Sequence, residues 1–290
     1  AANDLLTING ILSSTTFTKS GSGQLTLTNA STYSGATTIS AGTLSVSGSL
    51  PDATAVSVAS GAVYDIAAND TIDGLYGSGG VTLGTNTLTV GSNHESAATF
   101  SGEISNAGGL TKIGTGKQTL SGANTFTGAT TINAGTLSVS GSLSDSTDVG
   151  VATNGTYDVA ANDSIDGLTG TGRVTLGANT LTFGANNEAS ATFSGVIRDS
   201  GSLTKIGTGK QTLSGANTYT GATTIDAGTL SVNGSITSNV TVNASGTLAG
   251  SGSVAGTVSG SGSVAPGNSA GTLTVNGNYS QSANGNLNVE

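Results

Sequence analysis

The chemistry-bearing residues of this chain are mostly oxygen donors. Asn69, Asp70 and Asp73 lie close together, and Asn162, Asp163 and Asp166 repeat the set. Calcium takes about six to eight oxygens, and two carboxylates with one amide supply about half of them. Asx turns capping a strand end account for the same residues without an ion. A pair of carboxylates flanking a glycosidic bond is the other chemistry within reach. Its candidates, Asp65, Asp70, Asp73 and Glu103, largely recur as Asp158, Asp163 and Asp166, and carboxylates duplicated together with their surroundings read as structure. The single histidine, His94, has Asn187 as its counterpart 93 residues on, so a histidine-based triad or metal pair has nothing to build on. Gly114-Thr115-Gly116-Lys117-Gln118-Thr119 has the look of a phosphate-binding loop, but that loop needs a glycine at the place of Thr111 and a Ser or Thr at the place of Gln118. The glycine-rich stretch 77–80 lacks the aspartate of the calcium-binding nonapeptide repeat. With no cysteine there is no thiolate chemistry. No catalytic, cofactor-binding or metal-ligating residue is assigned, and the chain is expected to be no enzyme and to take no cofactor.

The elements that must position these residues follow from composition and periodicity. Seven Lys and Arg against sixteen Asp and Glu give a net charge of −9, which argues against nucleic acid or an anionic membrane as partner. Only 8% of residues are charged, so solvation falls to the hydroxyls of 48 Thr and 41 Ser. A hydrophobic content of 34% is nevertheless too high for a disordered Gly/Ser linker. No run reaches the roughly 18 apolar residues of a membrane-spanning helix, so no membrane insertion by this segment is expected. The opening Ala-Ala-Asn-Asp lacks a basic, then apolar, export signal; if there was such a signal, it has been removed.

A repeat of 93 residues organises the chain. Lys19, Lys112 and Lys205 are in step, as are Tyr33, Phe126 and Tyr219, and Leu44, Leu137 and Leu230. Between 110–142 and 203–235, 30 of 33 positions are identical. The chain therefore reads as a single solenoid, 1–290, made of a lead-in, 1–16, and three units, 17–109, 110–202 and 203–290, the last diverging after about Ser235. Inside each unit a turn glycine precedes a short alternating strand, as in Gly42-Thr43-Leu44-Ser45-Val46. Alternation puts Leu44 and Val46 inward and Thr43 and Ser45 outward. Comparable glycines recur at a spacing near 19 residues, so a unit holds about five coils of a solenoid whose coils stack as parallel strands. The segments 75–81, 168–174 and 248–254 read as one recurrent tight corner. Asn9-Gly10, Asn154-Gly155, Asn233-Gly234 and Asn276-Gly277 are the expected positive-φ corners. Lys19, Lys112 and Lys205, with Lys117 and Lys210 beside the later two, are expected on matching outer positions, where charge discourages lateral strand pairing. Thr26/Thr28, Thr87/Thr89, Thr180/Thr182 and Thr272/Thr274 have the local pattern of an ice-binding array but recur too rarely to line every coil. An antiparallel sandwich or propeller is the rival, disfavoured by only eleven aromatic residues and by the coil-length corner spacing.

The stretch from Leu110 to Ile132, closed by Gly135-Thr136-Leu137-Ser138-Val139 and repeated from Leu203 to Val232, resembles the autotransporter-associated β-strand repeat. The version from Phe17 to Val46 keeps Lys19, Gly21, Gly23, Thr26, Leu27, Tyr33, Gly35, Gly42 and Leu44, but has Ser20, Gln24 and Ser31 where the later copies have Ile113, Lys117 and Asn124. The resemblance implies an all-β fold, a right-handed parallel β-helix forming part of the passenger of a Gram-negative type V secreted protein, extracellular or on the cell surface, in a parent chain linked to an outer-membrane β-barrel. It also implies a part in surface display, adhesion or self-association and in passenger export. A module binding host, matrix or polysaccharide surfaces is the alternative; a polysaccharide-processing enzyme and an ice-binding solenoid are remote ones. The chain ends at Leu287-Asn288-Val289-Glu290 with no barrel-type strands before it, which reads as a segment of a longer passenger.

Overall fold

The computed structural model describes residues 4–94, 96–187, 189–267 and 271–289. Ala1 to Asn3 of the lead-in and the final Glu290 lie outside the described residues. Two compact units, 1–144 and 145–290, are present, and each is a stack of parallel β-coils. Among the described residues there is no helix, and hence none long and apolar enough to cross a membrane.

In the first unit three ladders form three faces. The first stacks Phe17–Lys19, Thr37–Ile39, Val56–Val58, Leu75–Gly77, Ala97–Phe100 and Lys117–Leu120 and ends on 136–139. The second stacks Leu5–Ile8, Gln24–Leu27, Thr43–Val46, Val63–Ile66, Gly80–Thr82 and Ile104–Ser105. The third stacks Asp70–Ile72, Thr87–Val90, Gly109–Lys112 and 130–132. The second unit repeats the plan with ladders through 149–151, 168–170 and 190–193, through 156–158, 173–175 and 196–198, and through 163–165, 180–183 and 202–205.

Strands of three or four residues suffice because those inside a ladder are hydrogen-bonded on both sides and Thr, Val and Ile suit a pleated, half-buried surface. The expected pleat is observed: Leu44, Val46, Leu137, Val139, Leu230 and Val232 are fully buried. Thr43 points outward and is half-buried. Ser45 also points outward but is buried, because its small side chain sits in a ladder between Thr26 and Asp65.

The repeat comes close to the expected five coils without being a whole number of them. Coil lengths run from 16 residues, Thr247 against Ser263, to 23, Gly77 against Phe100. From Lys19 the first face returns at Ile39, Val58, Gly77, Phe100 and, on the fifth turn, Leu120. Lys112 comes one face earlier, on the third ladder with Ile72, Val90 and Ile132. One 93-residue repeat thus spans four turns and two of the three faces of the next.

The glycine corners have a steric cause. Gly42, Gly135 and Gly228 share φ near +67°, and a Cβ at Gly135 would lie 2.4 Å from the carbonyl oxygens of Gly114 and Gly116 one coil back. The recurrent corner also stands: Gly77, Gly170 and Gly250 all have positive φ, with the carbonyl of Val58, Val151 or Val232 about 2.1–2.2 Å from any added Cβ. The Asn-Gly pairs do not play the expected part. None of the four takes a positive φ, and Asn154-Gly155 lies inside the extended segment Val149–Val159. The left-handed asparagines and their like are Asn106 and Asp199, 93 apart, and His94 and Asn187, also 93 apart. Each Asn-Gly glycine was a sufficient signal for a turn in isolation, but coil stacking decides where the chain bends.

The hydroxyl ladder is another correction. Thr71, Thr89, Thr111 and Thr131 face outward on four consecutive coils, and Ser164, Thr182, Thr204, Thr224 and Thr241 on five. The Thr-x-Thr criterion finds only Thr89 and Thr182 among them, because the ladder uses one central residue per strand. It is one hydroxyl wide in the first unit, since Gly109 and Ala129 flank Thr111 and Thr131.

Candidate functional site

The oxygen-rich cluster at 69–73 is dispersed by the pleat. Asp70 stands in the interior stack Asp70, Leu88, Leu110, Thr130 and is 3% exposed. Its Oδ2 accepts the phenol proton of Tyr64, and its Oδ1 accepts the N–H groups of Leu50 at 3.1 Å and Thr71 at 3.0 Å. Burial outweighs these donors and raises the carboxyl from 3.8 to about 6. Burial and the neighbouring carboxylate push the Tyr64 phenol well above its ordinary value. Tyr157 and Asp163 form the same pair. Asp73 Oδ1 instead accepts the N–H of Asn93 at 2.8 Å, as Asp166 does that of Asn186 at 2.9 Å. Asn69 and Asn162 accept the N–H groups of Thr87 and Thr180, each at 2.9 Å. The expected strand-end caps therefore bridge successive coils rather than closing local turns. Among the described residues no group of three or more His, Asp or Glu is placed to hold a metal.

The other candidates are occupied in the same manner. Asp65 accepts Ser45 Oγ and Thr82 Oγ1, both at 2.7 Å, from the coils on either side; Asp158 accepts Thr175 Oγ1 at 2.9 Å. Glu103 is exposed and accepts Thr125 Oγ1 at 2.5 Å. His94, at φ 65°, accepts the N–H of Thr115 through Nδ1 at 3.4 Å, where Asn187 accepts that of Thr208 at 2.8 Å. The imidazole does an asparagine's corner work.

The lysines are the clearest reversal. Lys19, Lys112 and Lys205 are buried, at 6%, 2% and 2% exposure, rather than lying on the outer surface. Lys19 Nζ donates to the carbonyls of Gly21 at 2.8 Å and Ala41 at 3.0 Å; Lys112 Nζ donates to Ile113 and Gly114, and Lys205 Nζ to Ile206 and Gly207. Each ammonium gathers the carbonyls of a glycine corner that would otherwise be left without donors. Burial lowers Lys112 to about 8, with Asp73 opposing the shift, and lowers Lys205 likewise against Asp166.

The aromatic of the repeat sits beside a buried threonine. Tyr33 OH lies 2.5 Å from Thr37 Oγ1 and Tyr219 OH 2.6 Å from Thr223 Oγ1. Burial raises Tyr33 to about 12. The middle copy has Phe126, and Thr130 Oγ1 is buried with no hydrogen-bond partner among the described residues. Phe126→Tyr should therefore stabilise the protein by about 1 kcal/mol, the usual net value of a buried hydrogen bond, read as a raised denaturation midpoint. A drop in stability would show that the phenol does not fit.

These lysines, aromatics and corner glycines fall within three stretches, 17–46, 110–139 and 203–232, that match the passenger-associated-transport-repeat family. The chain carries three passenger-associated-transport repeats. No curated protein and no solved structure matches it. Two further residues of the repeats escaped the sequence reading. In the second repeat Gln118 is buried and clasps the backbone of Leu75 two coils back, accepting its N–H at 3.0 Å and donating to its carbonyl at 2.9 Å. Gln211 does the same to Leu168 in the third, at 3.1 and 2.8 Å. The intervening 23-residue coil pairs with the strand before it only at Phe100 against Gly77 and Phe193 against Gly170, so Leu75 and Leu168 lack ladder partners there and the amide replaces them. The first repeat has Leu25 at this place. Asn124 and Asn217 act similarly, accepting the N–H of Ile104 or Ile197 and donating to Ser142 or Ser235; the first repeat has Ser31.

Proposed function

We propose that this segment is a non-catalytic stretch of an exported passenger, displayed outside a Gram-negative cell in a parent joined to an outer-membrane barrel. In this reading it extends surface from the cell, supports adhesion or self-association, and helps its own export. The three passenger-associated-transport repeats support the reading most directly. A second support is the direction of the polar chemistry. Asp73, Asn69, Lys19 and Gln118 bond groups about one or two coils away, so each station closes only when another coil is laid down. Such a stack orders sequentially as chain emerges, each coil contacting chiefly its neighbours.

The test is display on a Gram-negative cell through a barrel domain, comparing the full segment with a variant lacking 110–202. The deletion joins Gly109 to Leu203. Leu203 stacks on Leu181 as Leu110 stacks on Leu88, so the junction keeps its register and the shortened chain should fold and reach the surface. Clumping or adhesion should fall roughly in proportion to the solenoid removed. A deletion variant that is exported but unfolded would sink the solenoid modularity. Full-length display without clumping, adhesion or improved export would sink the proposed roles.

A further inference from the structure

The chain has only two arginines, Arg173 and Arg198, and both line one groove of about 350 Å³ on the second unit. They lie on neighbouring parallel strands, with Arg173 opposite Val196 and Thr175 opposite Arg198. All four side chains therefore leave the same face, and the guanidiniums are diagonal neighbours. Arg173 is exposed, and among the described residues no carboxylate pairs with it. Arg198 meets Asp199 only through Nε, at 3.8 Å, with both side chains substantially exposed, an interaction of little strength in water. On the preceding strand Asp158, opposite Thr175, accepts its Oγ1 hydroxyl at 2.9 Å. Thr153 and Thr171 border the groove with their hydroxyls 2.8 Å apart, and Asn154 adds an amide. Val196, 37% exposed, supplies an apolar patch between the two cations.

One repeat earlier the same places hold Ser60, Gly61, Ser78, Gly80, Glu103 and Ser105. There the cations and the apolar patch are absent and a carboxylate stands where Val196 does, so the groove is a local departure from an otherwise duplicated surface. We propose that this groove binds an acidic oligosaccharide, with Arg173 and Arg198 taking carboxylates of uronate-type sugars. A guanidinium fork matches a carboxylate in two parallel hydrogen bonds. The paired threonine hydroxyls and Asn154 can exchange hydrogen bonds with sugar hydroxyls, and Val196 can lie against a ring face. The volume is in the range of small-ligand sites, about 300–1,000 Å³. Nucleic acid is disfavoured as the occupant because no aromatic side chain lines the groove on which a base could stack. The inference goes beyond the display role and does not depend on it.

The test is calorimetric titration of the intact chain with an oligogalacturonate of four residues, with its methyl ester and with inorganic sulfate. The acidic oligomer should bind saturably and the ester at least about tenfold more weakly, since charge-assisted hydrogen bonds are lost. Affinity should also fall as salt is raised. Arg173→Gln and Arg198→Gln should each weaken binding about tenfold or more while leaving the thermal transition in place, because both side chains are exposed. Arg173→Lys, which keeps the charge and loses the fork, should fall between. Equal binding of acid and ester, unchanged binding in the double variant, no saturable binding, or sulfate binding as tightly as the oligomer would each overturn the proposal.

Discussion

Leu137→Asp is expected to unfold the coils around it, whereas Thr136→Asp one residue away should be tolerated. Leu137 is fully buried in the interior, and losing its burial costs about 1.5–3 kcal/mol. The new carboxylate would have no designed partner there, which adds several kcal/mol unless it takes up a proton. The sum rivals the whole stability of an ordinary domain, about 5–15 kcal/mol. Thr136 is half-buried on the outer side and paired in register with Lys117, so an aspartate there gains a cationic neighbour. Chemical denaturation of the two variants decides the matter, and equal losses would contradict the pleat.

Acidification should stabilise the protein, and Asp70→Asn should remove part of that gain. Asp70 has a folded value of about 6 against 3.8 for the free group, so between those values the folded chain holds more protons than the unfolded one. Stability from this group is therefore greatest below about pH 4 and declines as pH rises to about 6, with little change beyond. A shift of about two units corresponds to roughly 3 kcal/mol, an order-of-magnitude figure for so buried a group. Asparagine can keep the two backbone N–H bonds through its oxygen and donate to the Tyr64 oxygen through its amide. Its variant should be more stable than the parent at pH 7.5, by up to roughly 3 kcal/mol, and similar to it at pH 4. Denaturation midpoints across pH 4–8 test this. A parent that becomes less stable on acidification over that window, or a variant weaker than the parent at pH 7.5, would refute it.

Much of the interior was legible in the sequence. Alternation placed Leu44, Val46 and their copies, and the corner shared by Gly77, Gly170 and Gly250 emerged from spacing alone. The lysines were legible too, had alternation been followed strictly: in Leu110-Thr111-Lys112 the third residue must face as the first does. Lys117-Gln118-Thr119-Leu120 reads the same way, with Gln118 inward beside Leu120. The general rule that charged residues stay exposed overrode the pleat, and it fails here because uncovered corner carbonyls inside the coil offer an ammonium its partners. Coil length was not legible. Steps of 17 and 23 residues alternate with steps near 19 and 20, and nothing in a strand's composition reports how much chain lies in the corner after it. The need for Gln118 was hidden for the same reason, since it answers a gap two coils away. The groove residues Arg173 and Arg198 stood out in the sequence only as rare cations.

Because a repeat stops one face short of a full return, identical repeats do not line up. What the first copy shows on one side of the first unit, the second copy shows a third of a turn round, as the separate ladders of Lys19 and Lys112 make plain. A two-armed antibody raised against a patch common to both copies would find them pointing in different directions, and an arm already bound would not bring its twin into reach. Avidity requires geometry that permits both engagements at once, and here the phase of the duplication withholds it. A chain lengthened by copying itself can thus offer many instances of one epitope and still be held by each antibody one arm at a time.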